Sequence, residues 1–160
     1  MNAGFYRHGI AVPHGTAGVA EAERPLTPEG RKKTAQAAKG LQRLDLGFDA
    51  LYSSPLPRAL QTAEILSEAL RLGKPKILDA LLPGTPARHL LEEVRSLSAK
   101  SPLLVGHEPL LSAAVSTAVC GAAKGSFELK KAGLALVELE KSGSTLKLLL
   151  SPAVLRAIGS

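Results

Sequence analysis

Three short stretches of the sequence gather side chains able to do chemistry: Arg7-His8-Gly9, Ser53-Ser54-Pro55 followed by Arg58, and Gly106-His107-Glu108-Pro109. A guanidinium offers a fork of N–H donors matched to phosphate or carboxylate oxygens and keeps its charge at any accessible pH. Arginine beside histidine therefore points to an anion, with phosphate the better fit. Cations around an imidazole disfavour its protonated form, so His8 is expected to keep a ring nitrogen lone pair free to attack phosphorus. The sequence has neither a Walker glycine loop nor a metal-ligand spacing. Charge developing in a transition state then falls to Arg7, Arg58 and His107. A metal held by His8, His14 and His107 is the rival chemistry, but paired carboxylates at a fixed spacing are missing.

These stretches need a scaffold that brings them together, and the hydrophobic pattern supplies one. Short apolar runs alternate with longer amphipathic stretches, with no internal repeat and no low-complexity linker. A first strand ends at Tyr6, and a Gly- and His-bearing loop follows. Thr27 reads as an N-cap, with Pro28 at the first helical position, for a helix running to about Leu44. Asp49 to Ser53 reads as a second strand. Leu56, Ala59, Leu60, Ala63, Leu66 and Leu70 then repeat at helical spacing until Gly73. Lys76 to Asp79 reads as a short third strand, Ala87 to Leu97 as a helix, and Pro102 to Val105 as a buried parallel strand. Pro109 restarts a helix that is apolar almost all round. Leu134 to Leu139 and Leu146 to Leu150 read as an antiparallel hairpin joined by Lys141-Ser142-Gly143-Ser144. The fold class is therefore α/β: a three-layer α/β/α sandwich on a mixed, mostly parallel central sheet. Ligands of such sheets bind outside the carboxyl ends of the strands, where all three stretches lie.

Composition narrows the function classes. The chain has 160 residues, 45% hydrophobic and 21% charged, with three Phe, two Tyr and no Trp. That is enough apolar material for a core built mainly from Leu, Ala and Val, and too few aromatics for a base-stacking platform. The formal charge is +6, but Lys and Arg are spread along the chain. Arg31-Lys32-Lys33 is the densest run and reads as a solvated helix face, so the charge points to a small anion or an acidic protein partner rather than nucleic acid. The single Cys120 excludes an internal disulfide and reads as an inert packing residue of its helix. No apolar run suits a signal peptide or a membrane span, so a cytoplasmic protein with no membrane partner is expected.

Taken together, Arg7-His8-Gly9-Ile10-Ala11, Arg24-Pro25-Leu26-Thr27-Pro28-Glu29-Gly30, Tyr52-Ser53-Ser54-Pro55-Leu56-Pro57-Arg58-Ala59-Leu60-Gln61-Thr62-Ala63 and Gly106-His107-Glu108-Pro109 closely resemble the histidine phosphatase superfamily, also called the phosphoglycerate-mutase-like fold. The short chain and the early Arg24-Pro25-Leu26-Thr27 element look most like its SixA-type protein phosphohistidine phosphatases. The resemblance implies a single histidine phosphatase domain over residues 1–160 without a large cap insertion. It further implies His8 as the nucleophile, a covalent phosphohistidine intermediate that water then releases, and a phosphate pocket of Arg7, Arg58 and His107. No metal or organic cofactor is implied. The expected partner is a protein carrying phosphohistidine, or a small phosphorylated substrate.

One departure from the family pattern bears on the substrate. Many members carry a general acid just after the third strand, and that position falls on Ala80, with Asp79 one residue earlier. General acid catalysis is worth about two to four powers of ten, and a leaving alkoxide needs the proton. An imidazole can leave already protonated, which favours phosphohistidine over ordinary monoesters. Asp79, Glu108 and Glu23 remain as candidate acids, and Arg24 as a contact to an anionic or protein substrate. Ser53 and Ser54 read equally as phosphate donors or as the turn before Pro55. His14 reads as a solvated loop residue close to the site, and His89 as a surface residue. The alternatives are the same chemistry on a small phosphomonoester, or a non-catalytic module that binds phosphoproteins or anions. An intact nucleophile between two arginines argues against the latter.

Overall fold

In the computed structural model, which describes residues 1–123 and 127–160, six strands form one sheet in the order β3-β2-β4-β1-β5-β6. The strands are β1 (Asn2–Arg7), β2 (Ala50–Ser53), β3 (Lys76–Ile77), β4 (Pro102–Gly106), β5 (Leu134–Glu138) and β6 (Thr145–Leu150). β4 is parallel to both β1 and β2, and β2 is parallel to β3. β5 is antiparallel to β1 and to β6, so the sheet is mixed. All five residues of β4 are buried, as expected of a continuous apolar run at the centre of a parallel sheet.

Alternation along the strands sorts the core into two layers. Ala3, Phe5, Tyr52, Leu104, Ala135 and Val137 face one side, where they meet α3 (Ala87–Ser96) and α4 (Leu110–Cys120). Tyr6, Leu51, Leu103, Val105 and Leu134 face the other. There they meet α1 (Pro28–Leu44), α2 (Pro57–Leu70) and α5 (Pro152–Gly159). This is the three-layer sandwich expected from the sequence. Its largest fully buried side chains are Tyr6 and Phe5, and the rest of that set are leucines. Each such leucine withdraws enough apolar surface to stabilise the fold by about 1.5–3 kcal/mol.

Local signals explain most element ends. Thr27 Oγ1 accepts from Gly30 N at 2.9 Å to start α1, with Pro28 in the first turn. Gly30 is required at that turn because a Cβ there would sit 2.0 Å from the Ile10 carbonyl oxygen, where the loop after β1 crosses the helix. Thr27 N donates to that same oxygen at 3.0 Å, so the Arg24–Gly30 segment serves as a clasp between loop and helix.

The sequence pattern departs from the structure in three places. Nothing in the periodicity assigns residues beyond Leu150, yet α5 forms there. Ser151 Oγ accepts from Val154 N at 3.3 Å, Pro152 opens the helix, and buried Leu155 packs against α1. β3 stops at Ile77 instead of Asp79, because a 3-10 turn over Asp79–Leu81 interrupts it. Cys120, expected to pack, is exposed at the last turn of α4. The buried residues of α4 end at Ser116, so its last turn runs past the core before left-handed Gly121 ends the helix. No helix among the described residues is long and apolar enough to cross a membrane.

Candidate active site

Strand register brings the site together. Arg7 pairs with Gly106, and Ser53 pairs with Val105. The residues that follow, His8, His107 and Ser54, therefore leave three adjacent strands side by side at one carboxyl rim. Beside them β1 meets parallel β4 on one flank and antiparallel β5 on the other. His8 N donates to Gly106 O and Ser54 N to Val105 O, both at 3.0 Å, so the rim is tied across the strands past their ends. The two imidazoles lie 5.1 Å apart between ring centroids, tilted by 55°.

His8 is fixed in one tautomer. Its Nδ1 lies 2.7 Å from Gly9 O, a carbonyl that can only accept, so Nδ1 carries the proton. Nε2 keeps its lone pair and has no hydrogen-bond partner among the described residues, while the side chain lines the cleft. Gly9 is itself held from two sides. Its N–H donates to Thr62 Oγ1 at 3.0 Å, and a Cβ on it would come 2.2 Å from Thr34 Oγ1. Burial pushes the His8 imidazole down to about 3, helped by the charges of Arg58, Arg7 and Lys131 and opposed by the Gly9 hydrogen bond. Burial likewise holds His107 down at about 3, with His8 and the arginines adding to the effect. Both rings are neutral near pH 7.

His107 and the arginines are held differently from His8. His107 Nε2 is 2.8 Å from Ser54 Oγ, and its buried Nδ1 has no partner. Ser54 Oγ also accepts from Leu56 N at 3.3 Å, which sets the hydroxyl at the start of α2. Arg58 stands in the first turn of α2, where free backbone N–H groups and the helix dipole favour an anion. Its Nη1 donates to Glu21 O at 3.2 Å, and its buried Nε has no partner. Arg7 Nη1 donates to Leu129 O at 2.8 Å and to Glu128 Oε1 at 3.2 Å, and its Nε is also buried and unpaired. Two buried donors, Arg7 Nε and Arg58 Nε, and the buried His107 Nδ1, whose role as donor or acceptor follows the ring's tautomer, thus stay unsatisfied on side chains that line the cleft with His8. Each unpaired guanidinium N–H carries a desolvation cost of about 1–3 kcal/mol that an oxyanion in the cleft would recover.

The cleft measures about 550 Å³. Arg24, His14 and Glu21 form its outer wall on the loop after β1. Arg24 Nε and Nη2 donate to Glu21 Oε2 and Oε1, each at 2.9 Å, and Nη1 donates to Val12 O at 2.7 Å. His14 Nδ1 lies 2.6 Å from Glu21 Oε2, and its Nε2 lies 3.3 Å from Arg24 Nη2. The Arg24 hydrogen bond, with that of His14 adding to it, holds the Glu21 carboxyl below the usual range.

Several sequence-based candidates stand elsewhere. Ser53 is fully buried below the rim, its Oγ given to Ser54 O at 2.8 Å, and the hydroxyl that reaches His107 belongs to Ser54. Asp79 is exposed at the start of the 3-10 turn, and Ala80 is buried behind it. Neither lines the cleft, where Pro83 stands instead. Glu23 is exposed and turned away, because the 3-10 turn over Glu21–Glu23 presents Glu21 inward. Glu108 lines the cleft, but both its oxygens accept backbone N–H bonds, from Ser112 at 2.9 Å and Leu129 at 3.3 Å. Among the described residues no group of three or more His, Cys, Asp or Glu side chains is placed to hold a metal ion. Glu21 and Lys131 line the cleft without having stood out in the sequence.

The fold has counterparts among known proteins. Residues 5–82 match the model of the histidine phosphatase superfamily (branch 1). The protein histidine phosphatase SixA, solved with tungstate, superimposes with a TM-score of 0.86 at 25% identity, over 97% of this chain and 99% of that one. The chain belongs to the histidine phosphatase superfamily. An uncharacterised protein of Picosynechococcus sp. is 39% identical over 134 residues, which is 81% of this chain and 80% of that protein. A phosphoserine phosphatase from Entamoeba histolytica, solved with phosphoserine, shares the fold with a TM-score of 0.73 at 17% identity, over 96% of this chain and 98% of that one. As in other histidine phosphatases the architecture is phosphoglycerate-mutase-like, and the matched segment runs from β1 past β3, carrying Arg7, His8 and Arg58.

Proposed function

We propose that this histidine phosphatase removes the phosphoryl group from phosphohistidine on a protein, using His8 as a nucleophile and no metal. The observation that carries the reading is the pair of unsatisfied buried donors, Arg7 Nε and Arg58 Nε, with the unpartnered His107 Nδ1, around a neutral imidazole whose Nε2 is unpaired. A tetrahedral oxyanion offers acceptors for both guanidinium N–H groups. SixA, solved with tungstate, and the phosphoserine phosphatase, solved with phosphoserine, support a phosphoryl substrate.

In the first half-reaction His8 Nε2 attacks phosphorus in line. The bond from phosphorus to the leaving nitrogen breaks, and its electron pair goes to the departing imidazole. Nδ1–H stays on Gly9 O, which fixes the ring while it carries the phosphoryl group. In the second half-reaction water attacks the same phosphorus, the bond to Nε2 breaks with its pair returning to His8, and inorganic phosphate leaves with the water proton lost to solvent. Arg7, Arg58 and His107 carry the charge on the equatorial oxygens in both steps, the role preorganised donors perform best in a partly desolvated site.

The choice of leaving group follows from the carboxyl groups. Glu21 is held ionised by Arg24 and His14, Glu108 is occupied by two N–H donors, and Asp79 stands outside the cleft. No carboxyl lining the cleft among the described residues is poised to protonate a leaving alkoxide. A phosphoramidate, whose imidazole leaves already protonated, is penalised far less by that lack.

The test offers purified protein a histidine-phosphorylated phosphotransfer domain and a panel of phosphomonoesters, with and without chelator. Rapid release of phosphate from phosphohistidine, unchanged by chelator and at least about a hundredfold faster than from monoesters, is expected. Faster turnover of the monoesters would overturn the substrate, and loss of activity in chelator would overturn the metal-free mechanism.

A further inference from the structure

The segment between α4 and β5 carries an arrangement that phosphoryl binding does not explain. Leu129 O accepts from Arg7 Nη1 at 2.8 Å, and Gly133 N donates to Lys130 O at 2.8 Å to close a tight turn. Inside that turn Ala132 adopts a left-handed backbone with φ of 62°, which costs a residue with a Cβ about 1–2 kcal/mol. The conformation aims the Ala132 N–H at both the Arg7 carbonyl, at 3.0 Å, and the His8 carbonyl, at 3.3 Å. A strained turn is therefore locked to the backbone of the nucleophile, and its exposed outer residue, Lys131, is delivered to the mouth of the cleft.

Lys131 differs from the other cations of the cleft. Arg7 has Glu128 at 3.2 Å, Arg24 has Glu21 at 2.9 Å, and Arg58 has Glu21 at 3.9 Å. Lys131 has no carboxylate within ion-pair distance among the described residues. Its charge reaches His8 with a smaller effect than those of Arg58 and Arg7.

Building on the reading of the cleft as a phosphoryl site, we propose that Lys131 is a specificity residue that binds a carboxylate carried beside the phosphoryl group of the substrate. The protein then prefers phosphorylated residues with an acidic neighbour, and Lys131 acts on substrate capture more than on the chemical step. A flexible ammonium on a fixed turn suits this, since it can meet a carboxylate at varying distance while the phosphoryl group stays held by the arginines.

The test compares wild type with Lys131→Ala, Lys131→Arg and Lys131→Glu on four substrates. These are a histidine-phosphorylated peptide flanked by Glu, the same peptide flanked by Gln, a phosphorylated hydroxy acid, and an aryl phosphate lacking a carboxylate. For Lys131→Ala, KM for the Glu peptide should rise about fivefold with kcat unchanged. The Gln peptide and the aryl phosphate should be unaffected, Lys131→Arg should restore KM, and Lys131→Glu should raise it further. Salt at about 0.5 M should erase the difference. A matching rise for the hydroxy acid alone would assign the carboxylate to a small substrate, and a rise for the peptide alone to a protein. Lys141→Ala, in the β5–β6 connection at the opposite end of the sheet, serves as the equal-charge control.

An equal fall in kcat on every substrate, or no change with the Glu peptide and the hydroxy acid, would overturn the proposal. Peptide binding to the His8→Ala variant separates it from the phosphatase reading. A Glu over Gln preference that vanishes with Lys131→Ala upholds the role of Lys131 even if phosphorylation adds nothing to affinity, and that last result would sink the phosphoryl site itself.

Discussion

Two groups of cations line the cleft, one at the strand ends and the start of α2 and one on the loop after β1, and they differ in how fully their hydrogen bonds are met. Arg24 is 6% exposed, and each of its three guanidinium nitrogens has a partner within 3.3 Å. Arg58 is 4% exposed and keeps a buried Nε with none. Burial alone does not separate them; satisfaction does. A saturated guanidinium holds a loop in shape, as Arg24 does between Val12, His14 and Glu21. An unsaturated one is a standing demand for an anion, and Arg7 and Arg58 make that demand together.

The contrast can be broken most sharply at Arg58. Replacing it by Ala removes transition-state stabilisation and should lower kcat/KM by about 10²- to 10³-fold, measured by phosphate release. The folded protein should lose little stability, since an unsatisfied buried donor goes with the side chain, and chemical denaturation checks this. A large loss of stability with intact turnover would place Arg58 with Arg24 among the architectural residues.

Acid should also tell the two groups apart. Between the ordinary imidazole value of 6.5 and about 3, the unfolded chain holds protons on His8 and His107 that the folded one does not. The unfolded state therefore gains as pH falls, and folding stability drops through that window by up to about 1.4 kcal/mol per pH unit for each ring. Above the window these two groups contribute no slope. Thermal melting against pH should show the fall, and His8→Gln with His107→Gln should flatten it. Tungstate should protect the wild type by giving a protonated ring a counter-anion. An unchanged slope in the double variant would mean that the acid sensitivity lies elsewhere.

Arg24→Ala should show the reverse of Arg58→Ala. Loss of its bonds to Val12 and Glu21 should cost about 1–3 kcal/mol of stability, while turnover should fall at most about tenfold, through a loosened loop. A loss of activity matching that of Arg58→Ala would make Arg24 a direct substrate contact. The smallest effect is expected at Ser54→Ala, which frees His107 Nε2 at a cost of about 1 kcal/mol in stability and a modest loss in kcat. The corresponding change at Ser53, whose hydroxyl is committed to Ser54 O, should leave kcat unchanged.

The strand-end group was legible in the sequence and the loop group only in part, for a physical reason. His8 and His107 each follow an apolar strand directly, and Arg58 follows Pro57 in a helical first turn, so periodic elements place them. Glu21 and Glu23 lie two residues apart in a loop without a period, and the inward carboxylate is decided by a 3-10 turn that no pattern announces. Lys131 depends on a left-handed Ala132, a conformation that alanine does not advertise. The helix α5 did carry a local sign in Ser151-Pro152, a capping serine before a first-turn proline, although its eight residues are too few to show a strong period. Cys120 misled because α4 is apolar on nearly every side, which leaves the sequence no way to say which face is open.

The direct test of the central claim is to trap the intermediate. Wild-type protein mixed with a phosphohistidine substrate and quenched in alkali within one turnover should gain one phosphoryl group, located on His8 by peptide mass spectrometry, and His8→Ala should gain none and release no phosphate. A phosphoryl group found on another residue, or steady turnover by His8→Ala, would contradict His8 as the nucleophile.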